Sequence, residues 1–269
     1  MQRKRSGLAT HRRAYGCCIP PVAPSIQIIT DDLLIHFEAN DVTSYSGSGS
    51  TWTNIGTGGT TYNATLLGPS LPTFTTNGSI KSFQLSRNLI TSGSPYTNYN
   101  YMRFLRPSAI SDSFTYCAWI KTADVGYGVN HYQLMFIVST ETGGLNNDFG
   151  FGIDSNGKLA YGDGSSSNAD ITISSVQSVN TGNWTFVAVT RNKSNGEVNL
   201  YINGILDKTA TCNIGNTLST ATYVLIGSET DFPGYTFGGN IGAILGNTSV
   251  LSAADILNNF NAQRATYGL

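Results

Sequence analysis

Residues 183–207 read NWTFVAVTRNKSNGEVNLYINGILD, and the two-residue period inside this stretch decides the fold. In TFVAVT, Phe186, Ala188 and Thr190 fall on one side and Val187 and Val189 on the other. In EVNLYI, Val198, Leu200 and Ile202 alternate with Asn199 and Tyr201. Alternation of this kind belongs to strands whose successive side chains point to opposite faces. Asn195-Gly196 supplies positive-φ residues between the two strands, and Asn203-Gly204 turns the chain again into ILDKTA. Tight turns of this composition suit antiparallel strands, so the stretch is a three-stranded meander that the rest of the chain completes or covers.

Working outward, DLLIHFEA (32–39) is a first strand with Leu33, Ile35 and Phe37 opposite Leu34 and His36, which makes His36 a structural strand residue. SYSGSGSTWTNIGTGGTTYNATLLG lacks the Gly-Lys-Ser/Thr ending and strand-helix setting of a phosphate loop, and reads as a long surface loop anchored by Trp52. FTTNGSIKSFQLS folds back at Asn77-Gly78, and DFGFGID joins KLAYGDG at Asn156-Gly157. In SFTYCAWIKTA, Phe114, Tyr116, Ala118 and Ile120 oppose Cys117 and Trp119. Large apolar groups on both faces mark a central strand whose outer side is also covered. One helix is expected over 253–264, capped by Ser252, with Asp255 in its first turn, Gly268 beyond its end, and Ile256, Leu257 and Phe260 at helical spacing. The expected fold class is all-β, an antiparallel sandwich with one C-terminal helix. Trp184, Phe186, Val198, Leu200, Leu225 and Ile241 are expected to share one core.

Trp184 opening a strand, Tyr201 to Gly204 (YING), Leu225 to Gly227 (LIG) and Phe237 to Gly242 (FGGNIG) resemble the laminin G-like, concanavalin A-like jelly-roll family. The opening LLIHFEANDVTSYSGSGSTWTNI and the tail LSAADILNNFNAQRATYGL resemble the versions found in structural proteins of tailed phages and large DNA viruses. The resemblance spans 32–268 and implies a jelly roll, while the functions of the family are diverse.

The chain divides into a basic, Pro-containing arm (1–30) and a jelly-roll domain (31–269). Arg3, Lys4, Arg5, Arg12 and Arg13 give the arm five positive charges and no acid, while the other ten basic residues meet sixteen acids, leaving the body at −6. Such an arm cannot offset the ~1 to 2 kcal/mol per residue needed to order it alone. Its expected partners are other virion proteins or copies of itself, with Ile19, Pro20, Pro21 and Val22 as apolar anchors, or nucleic acid through counterion release. Adjacent Cys17 and Cys18 also permit acylation. The four cysteines are too few and too irregularly spaced for a disulfide scaffold or a zinc site. No apolar run follows the basic start, so secretion by a signal peptide is not expected, and no stretch approaches the ~20 apolar residues of a spanning helix. The expected location is the virion, after synthesis in the host cytoplasm.

The glucanases of this fold carry Glu, Asp and Glu at alternating strand positions, and none of Glu38, Glu141, Glu197 or Glu229 has that company. His11, His36 and His131 offer no Ser-His-Asp pattern. No catalytic residue and no cofactor are therefore expected. The resemblance allows a structural calcium, for which Asp148, Asp154, Asp163 and Asp231 are loop or strand-end acids. Two aromatic loops suit ligand contact, one with Tyr96, Tyr99 and Tyr101 and one with Tyr127, Asn130, His131 and Tyr132; the same tyrosines could serve only to pack the loops. The function expected is a non-enzymatic virion structural protein using its sandwich for protein or glycan contacts, with a carbohydrate-binding module as the alternative and a hydrolase of the same fold behind it.

Overall fold

The computed structural model describes residues 26–87, 99–166, 170–229 and 235–269. Its strands are, in order, β1 (Leu33–Glu38), β2 (Thr51–Trp52), β3 (Ala64–Leu67), β4 (Thr73–Asn77), β5 (Ile80–Leu85) and β6 (Tyr101–Leu105). There follow β7 (Phe114–Lys121), β8 (Met135–Ser139), β9 (Phe149–Ile153), β10 (Lys158–Asp163) and β11 (Ile171–Ser178). Then come β12 (Trp184–Arg191), β13 (Glu197–Ile202), β14 (Ile205–Thr211), β15 (Tyr223–Ile226), β16 (Gly239–Asn247) and helix α1 (Ala253–Gln263). Two antiparallel sheets result. The first runs β14-β13-β12-β7-β16-β5-β4, with β1 also on β16, and the second runs β11-β10-β9-β8-β15-β6-β3-β2.

The meander forms as β12-β13-β14, but its two turns differ. Asn203 and Gly204 both take positive φ, 49° and 79°, as a two-residue hairpin turn requires. Asn195 does not; only Gly196 is positive, at 71°, and the connection is the longer loop 192–196. That loop is closed by Gly196 N–H donating to the Asn192 carbonyl and by Glu197 N–H donating to the Asn195 side chain. Side-chain capping has replaced the tighter turn.

Strand β7 is central, between β12 and β16, and its two faces enter two different cores. Phe114, Tyr116, Ala118 and Ile120 face the second sheet, in the cluster that also holds Phe37, Trp52, Phe83, Phe104, Val198, Leu200 and Ile241. Cys117 and Trp119 face outward with Phe186, Ala188, Ile256, Phe260 and Tyr267. The single core expected for Trp184, Phe186, Val198, Leu200, Leu225 and Ile241 is thus corrected. Trp184 and Phe186 pack under the helix, while Val198, Leu200 and Ile241 pack between the sheets. Leu225 is buried but belongs to neither cluster. Opposite parity on one strand means opposite faces, and here both faces are dry.

Helix α1 starts at a capping box in which the Ser252 hydroxyl accepts from Asp255 N–H and the Asp255 carboxylate accepts from Ser252 N–H. Ile256 and Phe260 are buried, whereas Leu257 is 38% exposed at the rim beside Gly204. Tyr267 stacks on Trp119 with ring centroids 4.2 Å apart. Gly242 on β16 makes room for this ring, since a Cβ there would sit 2.4 Å from it. Residues 26–30 run against the same helix: Ile29 N–H donates to the Asn259 side chain at 2.7 Å, and Ile28 and Ile29 join the outer cluster. The arm residues Arg3, Lys4, Arg5, Arg12, Arg13, Ile19, Pro20, Pro21 and Val22 lie outside the described residues.

The glycine-rich stretch read as a surface loop is corrected in part: it contributes β2 and β3 to the edge of the second sheet, and Trp52, on β2, is fully buried against Phe37 and Phe83. His36 on β1 is half-buried and its Nε2 has no hydrogen-bond partner. Burial pushes its pKa down to about 4, against a smaller upward pull from Asp41. A histidine held neutral by the fold contributes stability that is fully present above its unfolded pKa near 6.5 and is lost as pH falls toward 4. The loss is at most about 3 kcal/mol, at ~1.4 kcal/mol per pKa unit, and smaller for a ring that still touches solvent. His36→Gln is expected to flatten this acid limb in urea unfolding at pH 7 and pH 4.5; parallel losses in both proteins would remove His36 as its source.

Candidate functional site

The site begins with glycines. In FGFGID, Phe149, Phe151 and Ile153 point into the sandwich, which leaves Gly150 and Gly152 on the outer face of the second sheet beside Gly162 of β10. The connection from β7 to β8 lies across this flat floor. Gly126 N–H donates to the Asp154 carbonyl, Ser155 N–H to the Gly128 carbonyl and His131 N–H to the Thr172 hydroxyl. A Cβ on Gly162 would lie 2.3 Å from the Cβ of His131, so any other residue there would expel the histidine.

His131 opens a short 3-10 turn (His131–Gln133) and is 1% exposed. Its Nε2 is 2.7 Å from Oε2 of Glu141, just past the end of β8, and 3.9 Å from Oδ1 of Asp148, just before β9. Its Nδ1 is 4.0 Å from Oδ2 of Asp170, which precedes β11. The Glu141 oxygen is close but lies off the ring N–H direction, so neither ring nitrogen nor this oxygen has an aligned hydrogen bond. Burial alone would lower the His131 pKa; the neighbouring carboxylates of Asp148, Glu141 and Asp170 outweigh it and push the pKa up to about 10. Burial raises the carboxyls of Glu141 and Asp148, and His131 opposes both shifts.

A cleft of about 430 Å³ opens beside this group, lined by Tyr132, Tyr235, Leu145, Gly143 and Gly144 and by the carboxylates Glu141, Asp170 and Glu229. Tyr132 is 40% exposed at its mouth. Asn130 steadies that ring by donating to the Tyr132 hydroxyl at 3.0 Å. Tyr127 packs behind the cleft, 4.9 Å from Tyr235 and with the Arg87 guanidinium 4.4 Å over its ring.

Of the residues singled out from the sequence, the structure therefore brings Tyr127, Asn130, His131 and Tyr132 to one place. Tyr99 and Tyr101 stack on each other with centroids 6.2 Å apart and do not line the cleft. Tyr96 lies outside the described residues. Of the four acids weighed for calcium, the three among the described residues do not form an oxygen cage. Asp154 is the cap of its own turn, accepting from Asn156 and Lys158 N–H and from the Ser174 hydroxyl. Asp163 points inward and pairs with Arg191 at 3.0 Å, and Asp231 lies outside the described residues. Only Asp148 joins a ligand-like group, with His131 and Glu141, whose donor atoms all lie within 4.8 Å of one another. Sequence reasoning missed Glu141, Asp170, Glu229 and Tyr235 as one site. They come from three connections, β8–β9, β10–β11 and β15–β16, and no spacing rule links them.

No curated protein matches the chain. Among solved structures, the binding domain of botulinum neurotoxin DC in complex with SialylT is 15% identical with a TM-score of 0.59, covering 87% of this chain and 52% of that one. The same toxin's binding domain in complex with rat synaptotagmin II is 17% identical with a TM-score of 0.57, covering 87% and 52%. Domain 4 of AbnA, a GH43 extracellular arabinanase from Geobacillus stearothermophilus, in complex with arabinotriose, is 16% identical with a TM-score of 0.56, covering 86% of this chain and 99% of that one. The chain thus spans about half the length of the toxin binding domains, and at these identities the likeness is one of fold. Residues 96–257 match a family described as the concanavalin A-like lectin/glucanases superfamily, more than half of the chain, and together with the two-sheet sandwich this places the protein in that superfamily.

Proposed function

We propose that the chain is a non-catalytic recognition domain that binds a neutral saccharide in the cleft between Tyr132 and Tyr235. The observation that carries this reading is the composition of the cleft. Two tyrosine rings and Leu145 offer apolar faces for sugar rings, and Glu141, Asp170 and Glu229 offer acceptors for sugar hydroxyls. The same three carboxylates disfavour sialylated or uronic ligands, because like charges in a partly enclosed cleft repel. The arabinotriose complex of AbnA domain 4, a domain of this fold and size, is in keeping with a neutral ligand.

Titration with neutral arabino-, gluco- and galacto-oligosaccharides is expected to give saturable binding, with sialylated glycans at least 10-fold weaker. Tyr132→Ala is expected to weaken the neutral ligand by at least about 10-fold, or ~1.4 kcal/mol. A preference for sialylated glycans, or affinity untouched by Tyr132→Ala, would sink the assignment to this cleft.

The setting we infer is a virion, with the domain displayed on or cementing the particle and the basic arm ahead of residue 26 holding it to neighbouring virion proteins, to copies of itself or to nucleic acid. The charge division supports this: five positive charges without an acid precede a body at −6. Mass spectrometry of purified particles is expected to find the chain; finding it only free in producing cells would remove this part of the proposal.

A further inference from the structure

We propose that His131, Glu141 and Asp148 form a binding site for a divalent transition-metal ion of the zinc type, placed at the floor of the cleft. The donor set is one imidazole nitrogen and two carboxylate oxygens, which suits zinc, manganese or cobalt better than the all-oxygen preference of calcium or magnesium. The three side chains arrive from two connections, His131 before β8 and Glu141 and Asp148 from the two ends of the β8–β9 loop, and all are buried.

Burial by itself would make a poor argument, since acids and histidines often pair without an ion. What the ion pair leaves unexplained is its geometry. His131 is 1% and Glu141 4% exposed, yet Nδ1, Nε2 and Oε2 all lack an aligned hydrogen bond. An ion held by Nε2 and Oε2 would satisfy both of those atoms, which face each other without an aligned hydrogen bond. Donors sharing a tetrahedral zinc at ~2.0 to 2.2 Å stand roughly 3.3 to 3.5 Å apart. The observed separations from Nε2, 2.7 Å to Glu141 and 3.9 Å to Asp148, bracket that value. The Glu141 oxygen must move out from Nε2 and the Asp148 oxygen in, and the two carboxylate oxygens, no more than 4.8 Å apart, must close toward each other.

The backbone is also cut away around the group. Gly162 leaves room for the ring, and Gly164 does the same for Asp148, where a Cβ would lie 2.4 Å from Oδ1. Thr142 N–H donates to the other Asp148 oxygen at 2.9 Å, fixing the carboxylate as supporting contacts do around metal ligands. Glu141 lines the cleft, which supplies the entry path and leaves further coordination positions open toward solvent or a bound hydroxyl.

The full chain, stripped with a chelator, is titrated with Zn²⁺ by calorimetry and with Co²⁺ as a visible probe, with no saccharide present, so the result does not depend on the glycan reading. One ion per chain is expected, with cobalt d–d bands and no thiolate charge-transfer band. Glu141→Gln and Asp148→Asn, which keep side-chain shape, are each expected to weaken binding by more than about 100-fold, beyond the loss of a supporting contact alone. A combined His11→Ala, Cys17→Ser and Cys18→Ser variant is expected to bind unchanged. Thermal unfolding in chelator establishes that each variant folds; if one does not, the other carboxamide variant carries the test. Absence of binding, binding that survives both carboxamide variants, or a thiolate band that disappears in the combined variant would each overturn the site.

Discussion

Replacing Arg191 by alanine is expected to lower the unfolding free energy by about 3 to 5 kcal/mol, because it strands a buried carboxylate. Arg191 on β12 and Asp163 on β10 are both fully buried and join the two sheets through a 3.0 Å ion pair. The guanidinium is also saturated by backbone carbonyls: it donates to Asp112, to Asn213 at 3.2 Å and to Asn216 at 3.0 Å. Asn213 in turn donates to the free Asp163 oxygen from its backbone and side chain, both at 3.1 Å. Arg191 therefore closes one end of the sandwich by tying together the loops before β7 and after β14. Removing it leaves the buried Asp163 carboxyl without its partner charge and three carbonyls without their donor. The double replacement Arg191→Met with Asp163→Leu is expected to lose less than either single change, since it removes both charges. Urea unfolding reads both, and a loss under 1 kcal/mol for Arg191→Ala would show that water reaches the pair.

Trp119→Ala is expected to be comparably severe, at about 3 to 5 kcal/mol, for an apolar reason. Its ring lies under α1 and the C-terminal turn, 4.2 Å from Tyr267, 5.4 Å from Phe186 and 5.8 Å from Phe260. Its Nε1 donates to Gln263 at 3.1 Å, and Gln263 donates onward to Glu38 of β1 at 2.9 Å. Truncation empties the middle of the outer core and leaves the Gln263 side-chain oxygen without its Trp119 donor. Alanine should release α1 and Tyr267 from the sandwich while the inner core, on the opposite face of β7, persists. Near-ultraviolet circular dichroism would lose intensity more than the far-ultraviolet strand signal does, and Trp119→Phe should recover part of the loss. Cooperative loss of both signals at native pH would mean that the inner core cannot stand without its lid.

The short β2 and β3 were not legible in the sequence, because two to four residues among glycines show no period. Most strands, the central place of β7, the meander and the capped helix were legible, because alternation and capping are properties of neighbouring residues. So, in principle, was the inward turn of Arg191: it shares the parity of Val187 and Val189, as Asp163 shares that of Leu159 and Tyr161. A charged residue at a strand end reads as solvated until something shows that the end is closed. The sequence likewise determined that Phe186 and Val187 face opposite ways. It did not determine that both faces are dry, because that depends on α1 returning to cover one of them. The site was beyond the reach of sequence for the same kind of reason. His131, Glu141, Asp148, Asp170 and Glu229 meet only because loops between strands distant in the chain are brought to one edge of the second sheet, and side chains set by such closures follow no period. Local pattern, then, decided which way each side chain points, and only the tertiary structure decided what it meets there.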